Sequence, residues 1–533
     1  MAPPGAAATS IPLAGGRASI APGDLQRLLL GLGLATAMQF YTFDSINLIL
    51  PDMAGAFGAS RDEASWILIC YSAALLLGTP LSSYLARRFG LRRYLVSAIL
   101  VFLGASIGCS LSTRLGEMLV FRSIEGFAAG ALNFWWRGSV YLFLAGPARS
   151  AAMMRISVML YAATTTGLLV SGFLVDHLSW RFIWVIDAVF AAGALSLLLR
   201  YYPRAVMEPE RLGAPVDVVG AVLLGVALVA LEVVLSRGQI DDWFGSPVLT
   251  AFACAAALAL VLFVVHALDP ANRYPLLRLS LLRERNVIAA VAIGTLTGMI
   301  IAGAIYALPE YLRGVDPQPR SASQTGVILC VYAITAACVR PLATVAINRF
   351  GQRRMTIFAL ACLIVSMALF SVLMTTGTPA IYYALPLVVY ALCLAPLLSA
   401  VGSGTAARVP GAGQMDAVSI YMTFRQLGTA LGVAFVNIVI ANRESLHSSR
   451  LFEHLRDGQA DLLATLGVLS GVVVHRAGQS AVDASATALG LLHHLAGRQA
   501  SVLAFADAFR AMAIVGLVAL AFTPLMSPPA RKK

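Results

Sequence analysis

Apolar runs of about twenty residues recur along the chain, broken by short stretches rich in Arg, Asp, Gly and Pro. A helix needs about 20 apolar residues to cross roughly 30 Å of hydrocarbon at ~1.5 Å per residue. Runs of that kind lie near 28–51, 64–84, 94–112, 117–144, 154–175, 182–199, 218–236, 247–267, 286–309, 325–347, 355–375, 381–402, 418–442 and 508–526. The pattern predicts fourteen spanning helices, an all-α membrane protein, with both chain ends on one side. Ala35-Thr36-Ala37 imitates a signal-peptidase site, but the apolar run continues through it and reads as the first span. Leu462–Val474 is short for a span and suits an interfacial or core helix inside a long outer loop, 443–507.

Composition agrees with lipid as the solvent. Of 533 residues, 59% are apolar and 12% charged, against about 45–50% and 25% in soluble proteins. Residues 1–27, rich in Ala, Gly and Pro, read as a disordered tail, and 527–533 as a basic one. The net charge is +12, yet the Arg residues are scattered between spans rather than gathered in a patch, which argues against nucleic acid. Lys532 and Lys533 are the only lysines, so no Walker A loop exists. With the N-terminus in the cytoplasm, tails and cytoplasmic loops carry about twenty basic residues against six in the short outer loops, which orients the protein.

Two loops repeat. Pro80-Leu81, six residues, then Arg88-Phe89-Gly90-Leu91-Arg92-Arg93 matches Pro341-Leu342, six residues, then Arg349-Phe350-Gly351-Gln352-Arg353-Arg354 at an offset of 261. Seven of fourteen positions are identical. Repeated halves of this kind are a mark of secondary transporters. The loops, with Arg88, Gly90, Arg92, Arg349, Gly351 and Arg353, are candidate gates: Gly90 and Gly351 allow tight turns, while Arg88 and Arg349 can latch onto cytoplasmic helix ends, where a cation is favoured.

Further motifs lie in Leu119-x-x-Arg122-x-x-Glu125-Gly126, Ser179-Trp180-Arg181-Phe182-Ile183, Arg237-Gly238-Gln239-Ile240-Asp241-Asp242-Trp243-Phe244 and Arg425-Gln426-Leu427-Gly428. With the paired loops, they resemble the major facilitator superfamily, specifically the fourteen-span drug:proton antiporters of the EmrB/QacA type. The resemblance implies an N-terminal six-helix bundle over 28–199, a linker with two extra spans over 200–285, and a C-terminal bundle over 286–526. It also implies a central cavity, with Arg425 and Gly428 as a family signature. Span five reads Gly167-Leu168-Leu169-Val170-Ser171-Gly172 where the family usually has Gly-Pro-x-x-Gly-Gly, and Thr42 stands where its first-span carboxylate sits.

Charges inside a membrane are costly, about 2.5–3.5 kcal/mol each at the centre, and mark function by default. Asp44 and Arg122 lie at similar depths, and Glu125 follows Arg122 on one helix face. These three are candidates for proton coupling, with Arg122 as the partner of Asp44; a static ion pair is the alternative. Asn133, Trp135, Trp136 and Arg137 are candidate cavity residues, and Arg137 could equally snorkel toward the cytoplasm. Asp187 and Glu232 read as structural, being near a helix end or on the insert. No metal or cofactor is expected, and the absence of G-x-S-x-G and H-E-x-x-H argues against an enzyme.

The expected protein is a secondary active, proton-coupled exporter of small amphipathic compounds in the plasma (inner) membrane. Transport of a particular, anionic metabolite and a non-transporting sensor or scaffold are the alternatives. Relatives in double-membraned bacteria often work with a periplasmic adaptor and an outer-membrane channel, which makes both candidate partners.

Overall fold

The computed structural model describes residues 11–12, 19–144, 146–203, 217–272, 275–316, 318, 320–375, 377–406, 409, 413–457, 459–477 and 481–526. Its helices are α1 (Pro22–Phe57), α2 (Arg61–Phe89), α3 (Leu91–Leu111), α4 (Leu115–Phe143), α5 (Gly146–His177), α6 (Phe182–Tyr201), α7 (Val218–Arg237) and α8 (Pro247–Leu268). They continue as α9 (Arg285–Glu310), α10 (Ala322–Phe350), α11 (Gln352–Leu373), α12 (Ala384–Ala406), α13 (Gly413–Asp457), α14 (Gln459–Ala477) and α15 (Ala481–Ala521). Fourteen carry the fourteen predicted runs, and α14 carries Leu462–Val474. Of the expected N-terminal tail, the last residues are helical: Pro22 sits in the first turn of α1, and Leu25 and Leu28 are already buried. The expected basic tail, 527–533, lies outside the described residues.

Twelve of the described helices are long and apolar enough by themselves to cross a membrane. The other two spans, α1 and α4, have 36 and 29 residues but carry much of the buried polar chemistry: Gln39, Thr42 and Asp44 on α1, and Arg122, Glu125 and Asn133 on α4. Large apolar side chains such as Leu258, Val261 and Val265 on α8 point outward, as expected when the surroundings are lipid rather than water. The chain is a multi-pass membrane protein.

Helices α1–α6 pack on one another, as do α9–α13 with α15; α7 pairs with α8 and rests against α2 and α13. The expected long outer loop is instead a helical projection. Its sequence is polar but largely made of helix formers without Pro, so α13 and α15 continue past the membrane. Their extensions are tied together: Ser501 donates to Glu444 (2.5 Å), and Asp507 takes His447 (2.8 Å) and pairs with Arg443 (3.6 Å).

The repeat is structural. Helices α2 and α10 are both 29 residues long and stand at the same offset of 261. Each opens with a capping box, Ser60/Glu63 and Ser321/Gln324, contains a Pro (Pro80, Pro341), and ends at a left-handed Gly: Gly90 at φ 82° and Gly351 at φ 87°. The offset also relates Gly167 to Gly428. A Cβ at Gly167 would lie 2.7 Å from the Tyr41 carbonyl oxygen, and one at Gly428 2.1 Å from that of Thr295. Bare glycines thus let α5 close on α1, and α13 on α9.

The two bundles are joined on the side opposite the chain termini. Arg313, following α9, grips Asp52 of α1 with both amino groups (2.7 and 3.1 Å) and the Leu48 carbonyl (2.5 Å). Nearby, the Ser323 amide of α10 donates to Asp176 of α5 (2.8 Å), and Gly326 lies under the Leu168 carbonyl.

Candidate functional site

Glu232 of α7 accepts from Ser72 of α2 (2.6 Å), and Asp316 pairs with Arg320 (2.7 Å). Among the described residues, the other buried charges of the membrane region, with the half-buried Arg137 and Arg425, form two groups. One is enclosed within the N-terminal bundle. Arg122 Nη1 meets Glu125 Oε2 at 2.7 Å, both side chains fully buried, and the guanidinium lies 4.0 Å from the centre of the Tyr71 ring. The (i, i+3) spacing on α4 makes the pair possible, and Gly126, pressed against the Tyr71 carbonyl, brings α2 close. Asp187 of α6 completes the cluster in hydrogen-bond contact with Glu125. Thr42 of α1 donates to Asp187, and Ser106 of α3 lies between the two carboxyls at 3.3 Å from Glu125 and 3.5 Å from Asp187. The reading of Asp187 as a structural helix-end residue therefore missed its place beside Glu125.

Asp44 is not in this cluster. It is buried on another face of α1, where the hydroxyls of Thr164 on α5 and Tyr332 on α10 lie within hydrogen-bonding reach. Arg122 thus partners Glu125 rather than Asp44. Thr42 and Asp44 are two residues apart, hence about 200° around the helix at ~3.6 residues per turn. One faces into its own bundle and the other faces the seam with the second bundle.

The second group lines that seam. Asn133 and Phe134 of α4, Thr79 of α2, and Met422, Arg425 and Gln426 of α13 surround a narrow gap between the bundles. Arg137 donates to the Asn133 carbonyl (3.1 Å) and side-chain oxygen (3.4 Å), with its guanidinium 4.2 Å from the Trp136 ring centre. Arg425 and Arg340 lie within electrostatic reach of Arg137. Arg340 donates to the Ala395 carbonyl and the Ser399 hydroxyl of α12. Trp135 turns the other way: its indole N–H reaches the Ser82 carbonyl of α2 (3.0 Å), so it packs in the α2–α4 contact. Trp136 is buried beneath Arg137.

Among the described paired-loop residues, Arg92 rather than either expected latch, Arg88 or Arg349, is the one seen at a helix end, donating to the Leu199 carbonyl of α6 at 2.6 Å. Arg349 lies over the ring of its neighbour Phe350, while Arg88 and Arg353 are half-buried.

A family model described as Major Facilitator Superfamily matches residues 32–433. The chain belongs to the Major Facilitator Superfamily. Among curated relatives, the multidrug export protein EmrB of Haemophilus influenzae is 27% identical over 438 residues, which cover 81% of this chain and 84% of that protein. The fatty acid resistance protein FarB of Neisseria gonorrhoeae is 25% identical over 511 residues, 94% and 96% of the two chains. A solved peptide transporter, POT in complex with sulfate, shares the fold with a TM-score of 0.61 at 15% identity, covering 98% of this chain and 99% of that one. The superfamily member described here thus keeps the two-bundle fold and places buried charges both inside one bundle and along the seam.

Proposed function

We propose that this chain is a proton-coupled exporter of small amphipathic compounds in the plasma (inner) membrane, with both termini in the cytoplasm. The observation that carries the reading is the placement of Asp44. Its carboxyl lies on the seam, with hydroxyls from both bundles around it. Gain or loss of one proton there changes the hydrogen bonds that a bundle on each side can make, so it biases rocking of one against the other. The names of EmrB and FarB, an export protein and a fatty acid resistance protein, support efflux of amphipathic molecules. The excess of basic residues on the terminal side supports the orientation. The joined side, with Asp52 and Arg313, then faces outward. In a double-membraned host, a periplasmic adaptor and an outer-membrane channel belong to the same reading, and the α13–α15 projection is the outer surface offered to the adaptor.

The test uses inverted membrane vesicles with an acidified lumen and a panel of fluorescent amphipathic compounds. Wild type should accumulate substrate until a protonophore is added. Asp44→Asn, close in volume to a protonated acid, should insert normally and lose gradient-driven accumulation. Undiminished, protonophore-sensitive transport by Asp44→Asn would refute the assignment of Asp44. Failure of the wild type across the panel would favour the scaffold reading.

A further inference from the structure

The gap beside Asn133 and Arg425 holds more positive charge than the protein balances. Arg425 of α13 lines it, Arg137 of α4 is hydrogen-bonded to its Asn133, and Arg340 of α10 lies within electrostatic reach of Arg137. Arg340 occupies the repeat position of Thr79, the α2 residue that lines the gap, at the same offset of 261. Among the described residues, none of the three makes an ion pair with a carboxylate. Their hydrogen bonds go to the neutral acceptors of Asn133, Ala395 and Ser399. Arg340 and Arg425 each keep a buried Nε–H without an acceptor.

Such an arrangement is costly when empty. Buried charges need a counter-charge, and buried donors need acceptors. A guanidinium fork matches a planar carboxylate, so a ligand with that head supplies both at once. Phe134 and Met422, which line the gap with Arg425, and Trp136, against Arg137, offer apolar and aromatic surface to the rest of the molecule.

We infer that the transported compounds are acidic amphiphiles, each with its carboxylate held among Arg137, Arg425 and Arg340 and its apolar body beside Phe134, Met422 and Trp136. The inference rests on the transporter reading for its use but concerns binding, which can be measured apart from transport.

The experiment uses the full-length protein in lipid nanodiscs and two matched sets of probes. One set is naphthalene-2-acetate, 2-(2-naphthyl)ethanol and 2-(2-naphthyl)ethylammonium; the other is dodecanoate, dodecanol and dodecylammonium. Binding is read from the concentration dependence of thermal stabilisation. In at least one set, the acid should bind about tenfold or more tightly than its alcohol and amine. Arg425→Gln, and separately Arg137→Gln, should weaken the acid by about 10- to 100-fold, the range for a lost charge-assisted hydrogen bond, and leave the alcohol unchanged. The two variants guard against one that fails to fold. An acid that binds no better than its amine in either set overturns the inference, as does unchanged acid binding in a folded Arg variant. Tight, Arg-dependent acid binding without transport would uphold this site and refute the exporter reading. Transport of cations in preference to acids would do the reverse.

Discussion

Removing Arg122 should expose whether the buried cluster in the N-terminal bundle ties the fold together or couples it to protons. Arg122 and Glu125 are both fully buried, 2.7 Å apart, with Asp187 in contact with Glu125. Arg122→Met keeps most of the side-chain volume but leaves two carboxyls facing each other with no cation. Breaking a buried pair from one side costs about 3–5 kcal/mol, because the remaining charge is uncompensated. The second change, Glu125→Gln, removes that charge and supplies an amide that can donate to Asp187. The double variant should therefore recover to within about 1–2 kcal/mol of wild type, as replacements of whole buried pairs do. Reversible unfolding in mixed detergent micelles measures both differences. A single variant as stable as wild type, or a double variant as unstable as the single one, would refute the argument. Transport then separates the roles. If the pair is a static tie, the stable double variant still moves substrate against its gradient; if Glu125 carries the coupled proton, it folds and fails to couple.

Two further outcomes follow from backbone contact and from the bridge between bundles. Gly428→Ala would put a methyl group 2.1 Å from the Thr295 carbonyl oxygen, forcing α9 and α13 apart at a cost of about 1–3 kcal/mol; Gly490→Ala, with nothing within 4 Å, should be neutral or mildly stabilising in the same unfolding assay. Arg313→Gln removes the two-pronged grip on Asp52, part-exposed at 16% and 30%, which is worth up to about 1 kcal/mol or a fivefold shift in population. Labelling of Leu48→Cys by a membrane-impermeant maleimide from the outer face should then be up to about fivefold faster, and equal rates in the presence and absence of Arg313 would count against the bridge as a closing contact.

The helices were legible because spanning length and apolar content are properties of a single run, and the repeat because an offset of 261 keeps Ser60, Pro80, Arg88 and Gly90 in step with Ser321, Pro341, Arg349 and Gly351. That Arg122 and Glu125 share a face was legible for the same reason, since a three-residue step on one helix fixes a face, but Arg122 was assigned to Asp44 instead. What a run does not tell is which face meets which neighbour. Asp44 and Arg122 were matched by depth alone, although Thr42 and Asp44 differ by about 200° of rotation and cannot both look into the bundle. The same arithmetic separates Trp135 from Arg137, which lie on opposite faces of α4: one packs against Ser82 and the other borders the gap. Asp187 could not be placed beside Glu125 from spacing, because they stand 62 positions and two helix turns-around apart. The helical projection was missed because polar sequence ended the span without ending the helix.

The displaced carboxylate makes sense of the two groups together. Thr42, which the resemblance puts where the family's first-span acid sits, donates to Asp187, so the acid facing into this bundle comes from α6 while α1 offers Asp44 to the seam. Asp44 then shares the seam with the three arginines without forming an ion pair with them among the described residues. Under the proposed function, proton and substrate need not compete for one group; each can bias the same movement of the bundles from its own place. Inward passage of one proton with outward passage of one carboxylate anion also moves two charges in the same electrical sense. At about 2.3 kcal/mol per charge per 100 mV, a potential negative inside favours both limbs. An acidic substrate thus turns the arginine-rich seam, expensive as a static structure, into the element through which the membrane potential helps to drive export.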